Sequence, residues 1–303
     1  MHLCKSPLTV PGVAFAVDCG HCRSCRLKKK SEWIMRLSHE ADYWRSVGKP
    51  DILFVLLTYD REHLPEDRGL SVRDLQLFNK RLRKSLPKGV RYKYFAAGEY
   101  GRNGTLRPHY HILFFGLDMS YRDKIYKAWS KCLDDDRTFG CRLVTSAEAY
   151  GYAAGYASKK LCAGYCRSFR NIHKKKPEFH VSSLGLGRYF VDCNPHLSET
   201  GVYRHQGRER LLPRYYRKLL GVTYDVIKPW LERRRRELHE QIIKIYRLPV
   251  SKAYEIGKIS ADAVRIPAAI MSSMRAQRDM YLATLEDAYM RRGRKHNLPV
   301  FCC

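Results

Sequence analysis

Apolar residues recur every three or four positions over residues 28–47, at Trp33, Leu37, Ala41 and Trp44, which predicts an amphipathic helix. The pattern then changes. Ile52-Leu53-Phe54-Val55-Leu56-Leu57-Thr58 is a short, continuous apolar run, as expected of a central strand covered on both faces. After Ser71, a residue suited to an N-cap, Leu75, Phe78, Leu82 and Leu86 form one helical stripe that Pro87 and Gly89 end. Residues 90–97 and 109–116 read as a strand pair joined by a turn containing Gly101, Asn103 and Gly104. A helix over 120–133, a short strand over 141–144 and a helix over 146–161 follow.

The resulting order, strand, helix, strand, strand, helix, strand, predicts an α+β fold. The expected plan is ferredoxin-like, resembling RNA-recognition domains: one central antiparallel sheet with helices on one face. Four regions are expected: a cysteine-bearing arm and helix at 1–50, the core at 51–165, a loop-rich extension at 166–225, and a basic helical C-terminal region at 226–303. No repeat or low-complexity tract interrupts them.

Charge narrows the partners. The 303 residues hold 57 Lys and Arg against 30 Asp and Glu, a formal charge of +27 spread along most of the sequence, which favours a polyanion and above all nucleic acid. No apolar run approaches the roughly 18 residues of a membrane span, and the N-terminus does not read as a signal peptide, so a cytoplasmic protein with reduced cysteines is expected.

His109 and His111 stand two apart on a predicted strand, so they share a face and can converge on one ion. Neutral imidazoles suit Mn, Fe, Co, Ni, Cu or Zn, and with a carboxylate they also hold a hard divalent ion beside a phosphate. Glu99, at the end of the adjoining strand, is placed to supply that carboxylate. Taken alone, the histidine pair reads equally as two partly exposed polar residues. Tyr152 and Tyr156, four apart on a predicted helix, face one side, with Lys159 and Lys160 a turn further on to hold phosphates. In a chain with 21 tyrosines such a spacing also suits core aromatics. It is the succession of a paired-histidine strand and a paired-tyrosine helix that points to phosphoryl transfer on DNA.

With these motifs in hand, the chain resembles the replication initiation proteins of microvirus single-stranded-DNA bacteriophages, of the gokushovirus type, within the HUH endonucleases. The resemblance runs over about residues 1 to 220. Its motifs are Cys19-Gly20-His21-Cys22-Arg23-Ser24-Cys25-Arg26, Leu57-Thr58-Tyr59-Asp60-Arg61-Glu62-His63-Leu64-Pro65, Gly98-Glu99-Tyr100-Gly101, the histidine strand, the tyrosine helix and Pro213-Arg214-Tyr215-Tyr216-Arg217-Lys218.

It implies rolling-circle replication: site-specific nicking and joining of the phage strand by two tyrosines, here Tyr152 and Tyr156 in an order left open, through a 5′-phosphotyrosine. It also implies Mg or Mn on His109 and His111 with Glu99 as third ligand, and single-stranded or supercoiled origin DNA as substrate. The expected setting is the host bacterial cytoplasm, with a host helicase and polymerase as partners and no membrane or small-molecule substrate. The family often has a basic residue just before the second tyrosine; Gly155 stands here, and Lys159 or Lys160 is left to supply the cation. Two other functions fit parts of the pattern: a non-catalytic single-stranded nucleic-acid-binding protein, and a related HUH transposase or relaxase.

Of the 11 cysteines, Cys19, Cys22 and Cys25 repeat a C-x-x-C spacing that lets three thiolates meet at one structural zinc, with Cys4, His21 or a distant cysteine as fourth ligand. Reduced, unliganded thiols are the alternative.

Overall fold

A computed structural model describes residues 8–11, 17–20, 23–101, 106–132, 139–144, 175–205 and 207–246. The chain divides into two units, His2–Ile227 and Lys228–Cys303. The first holds a sheet of five antiparallel strands: β1 (Ile52–Thr58), β2 (Lys93–Tyr100), β3 (Pro108–Phe115), β4 (Phe139–Leu143) and β5 (Phe179–Ser182), in the spatial order β4-β1-β3-β2-β5. The fold is α+β, and the succession of strands and helices from β1 to β4 is the expected one.

Strand alternation sorts the core. On one face Leu53, Val55 and Leu57 of β1, with Tyr110, Ile112 and Phe114 of β3, pack under α2 (Val72–Ser85) and α3 (Arg122–Trp129). Leu75, Phe78 and Leu82 are the buried stripe of α2, and Ser71 caps that helix by accepting a 3.1 Å hydrogen bond from the Asp74 amide. On the other face Ile52, Phe95, Leu113 and Phe115 pack against Leu37, Ala41 and Trp44 of α1 (Arg23–Ser46). Helices therefore lie on both faces: α2 and α3 as expected on one, and α1, which precedes the expected unit, on the other. This double cover is why β1 is apolar at nearly every position.

The turn after β3 needs Gly116, whose φ is +87° and where an added Cβ would lie 2.4 Å from the Trp44 ring. Several boundaries differ from expectation. Strand β2 starts at Lys93 and runs to Tyr100, because pairing with β3 continues as far as Tyr100 opposite Pro108. Helix α3 stops at Trp129, where Ser130 takes the left-handed conformation with φ 52°.

The stretch that reads as loop over 162–220 contains β5, which closes the sheet edge beside β2, then α4 (Arg188–Asp192), the hairpin of β6 (Val202–His205) and β7 (Arg208–Leu211), and α5 (Arg214–Leu219). Met35 of α1 joins Val191, Leu197, Tyr203, Leu212 and Tyr216 in a separate small core. The Arg36 guanidinium lies between the rings of Trp33 and Tyr215, 4.2 and 4.0 Å from their centroids. Helix α6 (Tyr224–Tyr246) follows, and the second unit begins within it. No described helix is long and apolar enough to cross a membrane.

Candidate active site

His109 and His111 continue, along β3, the row of side chains to which Leu113 and Phe115 belong. The last two lie in the core beneath α1, while the histidines occupy the other end of the same face. Thr58 of β1 and Glu99 of β2 stand directly opposite His109, on either side of it; Leu56 and Ala97 flank His111 in the same way. Glu99 reaches diagonally, bringing its Oε2 3.5 Å from His111 Nε2. Both side chains are buried. The two imidazoles are 5.9 Å apart between centroids and nearly perpendicular. Burial first, then the neighbouring His111, lowers the His109 pKa to about 4, against a smaller opposing pull from Glu99. His109 is consequently neutral at physiological pH, with a ring nitrogen lone pair to offer a metal.

The backbone around this end of the sheet is tied down. Thr58 Oγ1 donates to the Pro108 carbonyl at 3.0 Å, Trp129 Nε1 donates to the Thr58 carbonyl at 2.6 Å, and Arg107 donates to the Tyr59 carbonyl. Tyr59 donates to Asp74 at 2.7 Å and lies 2.8 Å from the Tyr110 hydroxyl, which links the start of α2 to the centre of β3. Burial raises the pKa of both phenols, so they act here as hydrogen-bonding struts.

Two further polar groups at this end lie in the stretch that composition marks as loop. Glu178 is buried and accepts from the Tyr100 amide at 3.2 Å. His180 stands across Ala97 from His111, since Ala97 pairs with both, so the two histidines share a face with one small side chain between them. Its ring stacks on Phe95 at 5.8 Å and meets Trp33 edge-on at 5.3 Å. Burial, then the charges of Lys29 and Arg36, lower its pKa to about 4. The Glu178-Phe179-His180-Val181 alternation is the sequence signal that marks this strand.

The structure thus brings His109, His111 and Glu99 together. Among the described residues no three His, Cys, Asp or Glu side chains yet converge within reach of one ion. The donor set nevertheless fits a divalent cation in chemistry and placement: two imidazoles and a carboxylate on adjoining strands, one imidazole held neutral. Tyr152, Tyr156, Lys159 and Lys160 lie outside the described residues, as do Cys4 and Cys22. The remaining two cysteine positions do meet, with Cys19 Sγ and Cys25 Sγ 4.0 Å apart.

Comparison with known proteins places this arrangement. Residues 52–161, which take in β1 through β4, the histidine pair and both tyrosine positions, match the family of the replication-associated protein ORF2. The replication-associated protein VP4 of Bdellovibrio phage phiMH2K is 32% identical over 239 residues, 72% of this chain and 71% of the relative. The chain belongs to the phage replication-associated proteins. A second member, the replication-associated protein ORF2 of Spiroplasma virus 4, is 32% identical over 193 residues, 58% of each chain. No solved structure matches significantly. In this replication-associated protein the paired histidines sit on the middle strand of the sheet, bordered by β1 and β2.

Proposed function

We propose that this protein initiates rolling-circle replication of a phage genome by nicking and rejoining one strand at the origin. The observation that carries the proposal is the buried Glu99–His111 pair with His109 beside it, on one face of the central strands, in a chain of the phage replication-associated family.

His109, His111 and Glu99 would hold Mg or Mn. A divalent ion bound there supplies charge to polarise the scissile phosphate and stabilise its developing negative charge. The phenol oxygen of Tyr152 or Tyr156 forms a bond to phosphorus as the bond from phosphorus to the 3′ oxygen breaks. The phenol proton, with an ordinary pKa near 10, passes to solvent or a local base, and the departing 3′ oxygen takes up a proton. The products are a 5′-phosphotyrosine and a free 3′ hydroxyl that a host polymerase extends. Transesterification keeps the bond energy, so the second tyrosine repeats the step on the regenerated origin and the released 3′ hydroxyl displaces the first tyrosine to close the circle. Lys159 and Lys160 neutralise backbone phosphates during both steps.

The N-terminal arm would hold a structural zinc through Cys19 and Cys25, whose sulfurs are 4.0 Å apart, with Cys22 and Cys4 completing the set.

The test is incubation with labelled single-stranded oligonucleotides tiling the cognate genome, with Mg or Mn, followed by denaturing gels. Wild type should form a covalent protein–DNA adduct that His109→Ala, His111→Ala and the double variant Tyr152→Phe, Tyr156→Phe lose. DNA binding without adduct on any tile with either metal would favour a non-catalytic binding protein instead.

A further inference from the structure

The face of the sheet opposite the histidines is covered by α2 and α3, and their solvent side is strongly basic. Helix α2 carries five Lys or Arg and one Asp, and α3 three and one. The acids are already engaged: Asp74 accepts from Tyr59, and Asp123 pairs with Arg122 at 3.3 Å. Arg81 is also engaged, donating to the Ala128 and Trp129 carbonyls.

Arg73, Lys80 and Lys84 are different. They are exposed and, among the described residues, none of them pairs with a carboxylate. Offsets of seven and four residues align them in one row, diametrically across α2 from the buried Leu75, Phe78 and Leu82. Over eleven residues the row runs about 16 Å at 1.5 Å per residue. Lys127 stands exposed on the neighbouring helix.

Helix stability does not account for this row. Arg73 lies in the first turn, where a cation opposes the helix dipole. Lys80 and Lys84 are four apart, where like charges repel. A local arrangement that costs stability and is compensated by nothing in the fold indicates a partner of opposite charge. A duplex with one negative charge per about 1.7 Å of axis matches a line of cations of this length. Binding on opposite faces of one sheet is beyond the reach of a single short strand; it needs DNA that continues past the sheet edge.

We propose that the outer faces of α2 and α3 form a second DNA-binding surface, holding the phosphate backbone of duplex DNA that flanks the nicked strand. The inference rests on DNA being the substrate of the histidine face.

The experiment compares wild-type protein with the triple variant Lys80→Gln, Lys84→Gln, Lys127→Gln, checked for unchanged thermal unfolding. Binding to duplex DNA is followed by fluorescence anisotropy between 50 and 200 mM salt, and cleavage of a short single-stranded origin oligonucleotide is measured in parallel. The slope of log K against log salt should become shallower by roughly 2.7, at about 0.9 for each phosphate no longer neutralised, with oligonucleotide cleavage unchanged. An unchanged slope overturns the proposal. So does an equal loss of oligonucleotide cleavage, which would assign these lysines to the histidine face, or a slope change with duplex RNA alone. If wild type fails to cleave any oligonucleotide, the nicking proposal fails while the duplex slopes still decide this one.

Discussion

Replacing Glu40 tests how α1 is fixed over the histidine-bearing face. Its carboxylate is fully buried within α1 and receives three donors: Trp44 Nε1 at 2.9 Å, the Gly187 amide at 2.7 Å and Lys93 Nζ at 3.0 Å. These join the helix to the first residue of β2 and to the turn before α4. Gly187 makes that approach possible, since an added Cβ would lie 2.1 Å from the Tyr216 hydroxyl. In Glu40→Ala the indole N–H and the Gly187 N–H are left buried without acceptors, at about 1–3 kcal/mol each. The Lys93 side chain, 30% exposed, can turn to water, so its broken ion pair adds less than the roughly 3–5 kcal/mol seen when a fully buried pair is disrupted. The sum is about 3–5 kcal/mol, a large part of the 5–15 kcal/mol typical of a domain. Glu40→Gln keeps one acceptor oxygen and sets an NH2 against the third donor, for about 1–3 kcal/mol. Urea unfolding followed by fluorescence, with unchanged m-value, reads both directly. A loss below about 1 kcal/mol for Glu40→Ala would mean that the carboxylate behaves as an exposed ion pair, and the account of how α1 is anchored would be wrong.

Two other outcomes follow from the described chemistry. His109 and His180 have folded pKa values of about 4, below the ordinary 6.5, so between those limits the unfolded chain binds more protons. Stability should therefore be full above pH 6.5 and decline as pH falls toward 4, by up to about 1.4 kcal/mol per pH unit for each histidine. His180→Asn should roughly halve that slope in urea titrations at stepped pH, and an unaltered slope would contradict the assignment. Protein purified without chelator should carry about one zinc per chain by elemental analysis, lost in Cys19→Ser or Cys25→Ser and on strong chelation with a fall in melting temperature. Metal-free protein of undiminished stability would rule the clip out.

Much of the sheet was legible because its strands and helices carry periods that only one arrangement satisfies. The apolar run of β1, the helical stripe of α2 and the alternation of β3 each correspond to an observed element. Glu99 and His111 were legible as neighbours because a hairpin fixes which residues stand opposite. Strand β5 was not: four residues of half-buried Phe179-His180-Val181-Ser182, set among basic and glycine-rich residues, carry too little periodicity to outweigh composition. With it went His180 and Glu178. Nor could the cover of α1 be foreseen, because the amphipathic spacing of a helix shows that it packs but not on which side of a sheet. Glu40 was equally hidden, since a lone glutamate on a charged helix carries no sign that it will meet an indole and an amide 147 residues away.

The position of β3 between two partners has an evolutionary consequence. Register is pinned along its whole length by β1 on one side and β2 on the other. A deletion or insertion of a single residue at its beginning would send Tyr110 and Ile112 outward and drive the imidazoles into the core beneath α2 and α3. Gains and losses of sequence between related phages should therefore spare this strand and its two neighbours. They should accumulate where the chain leaves the outer strands, so that target preference can diverge while the reactive centre keeps its frame.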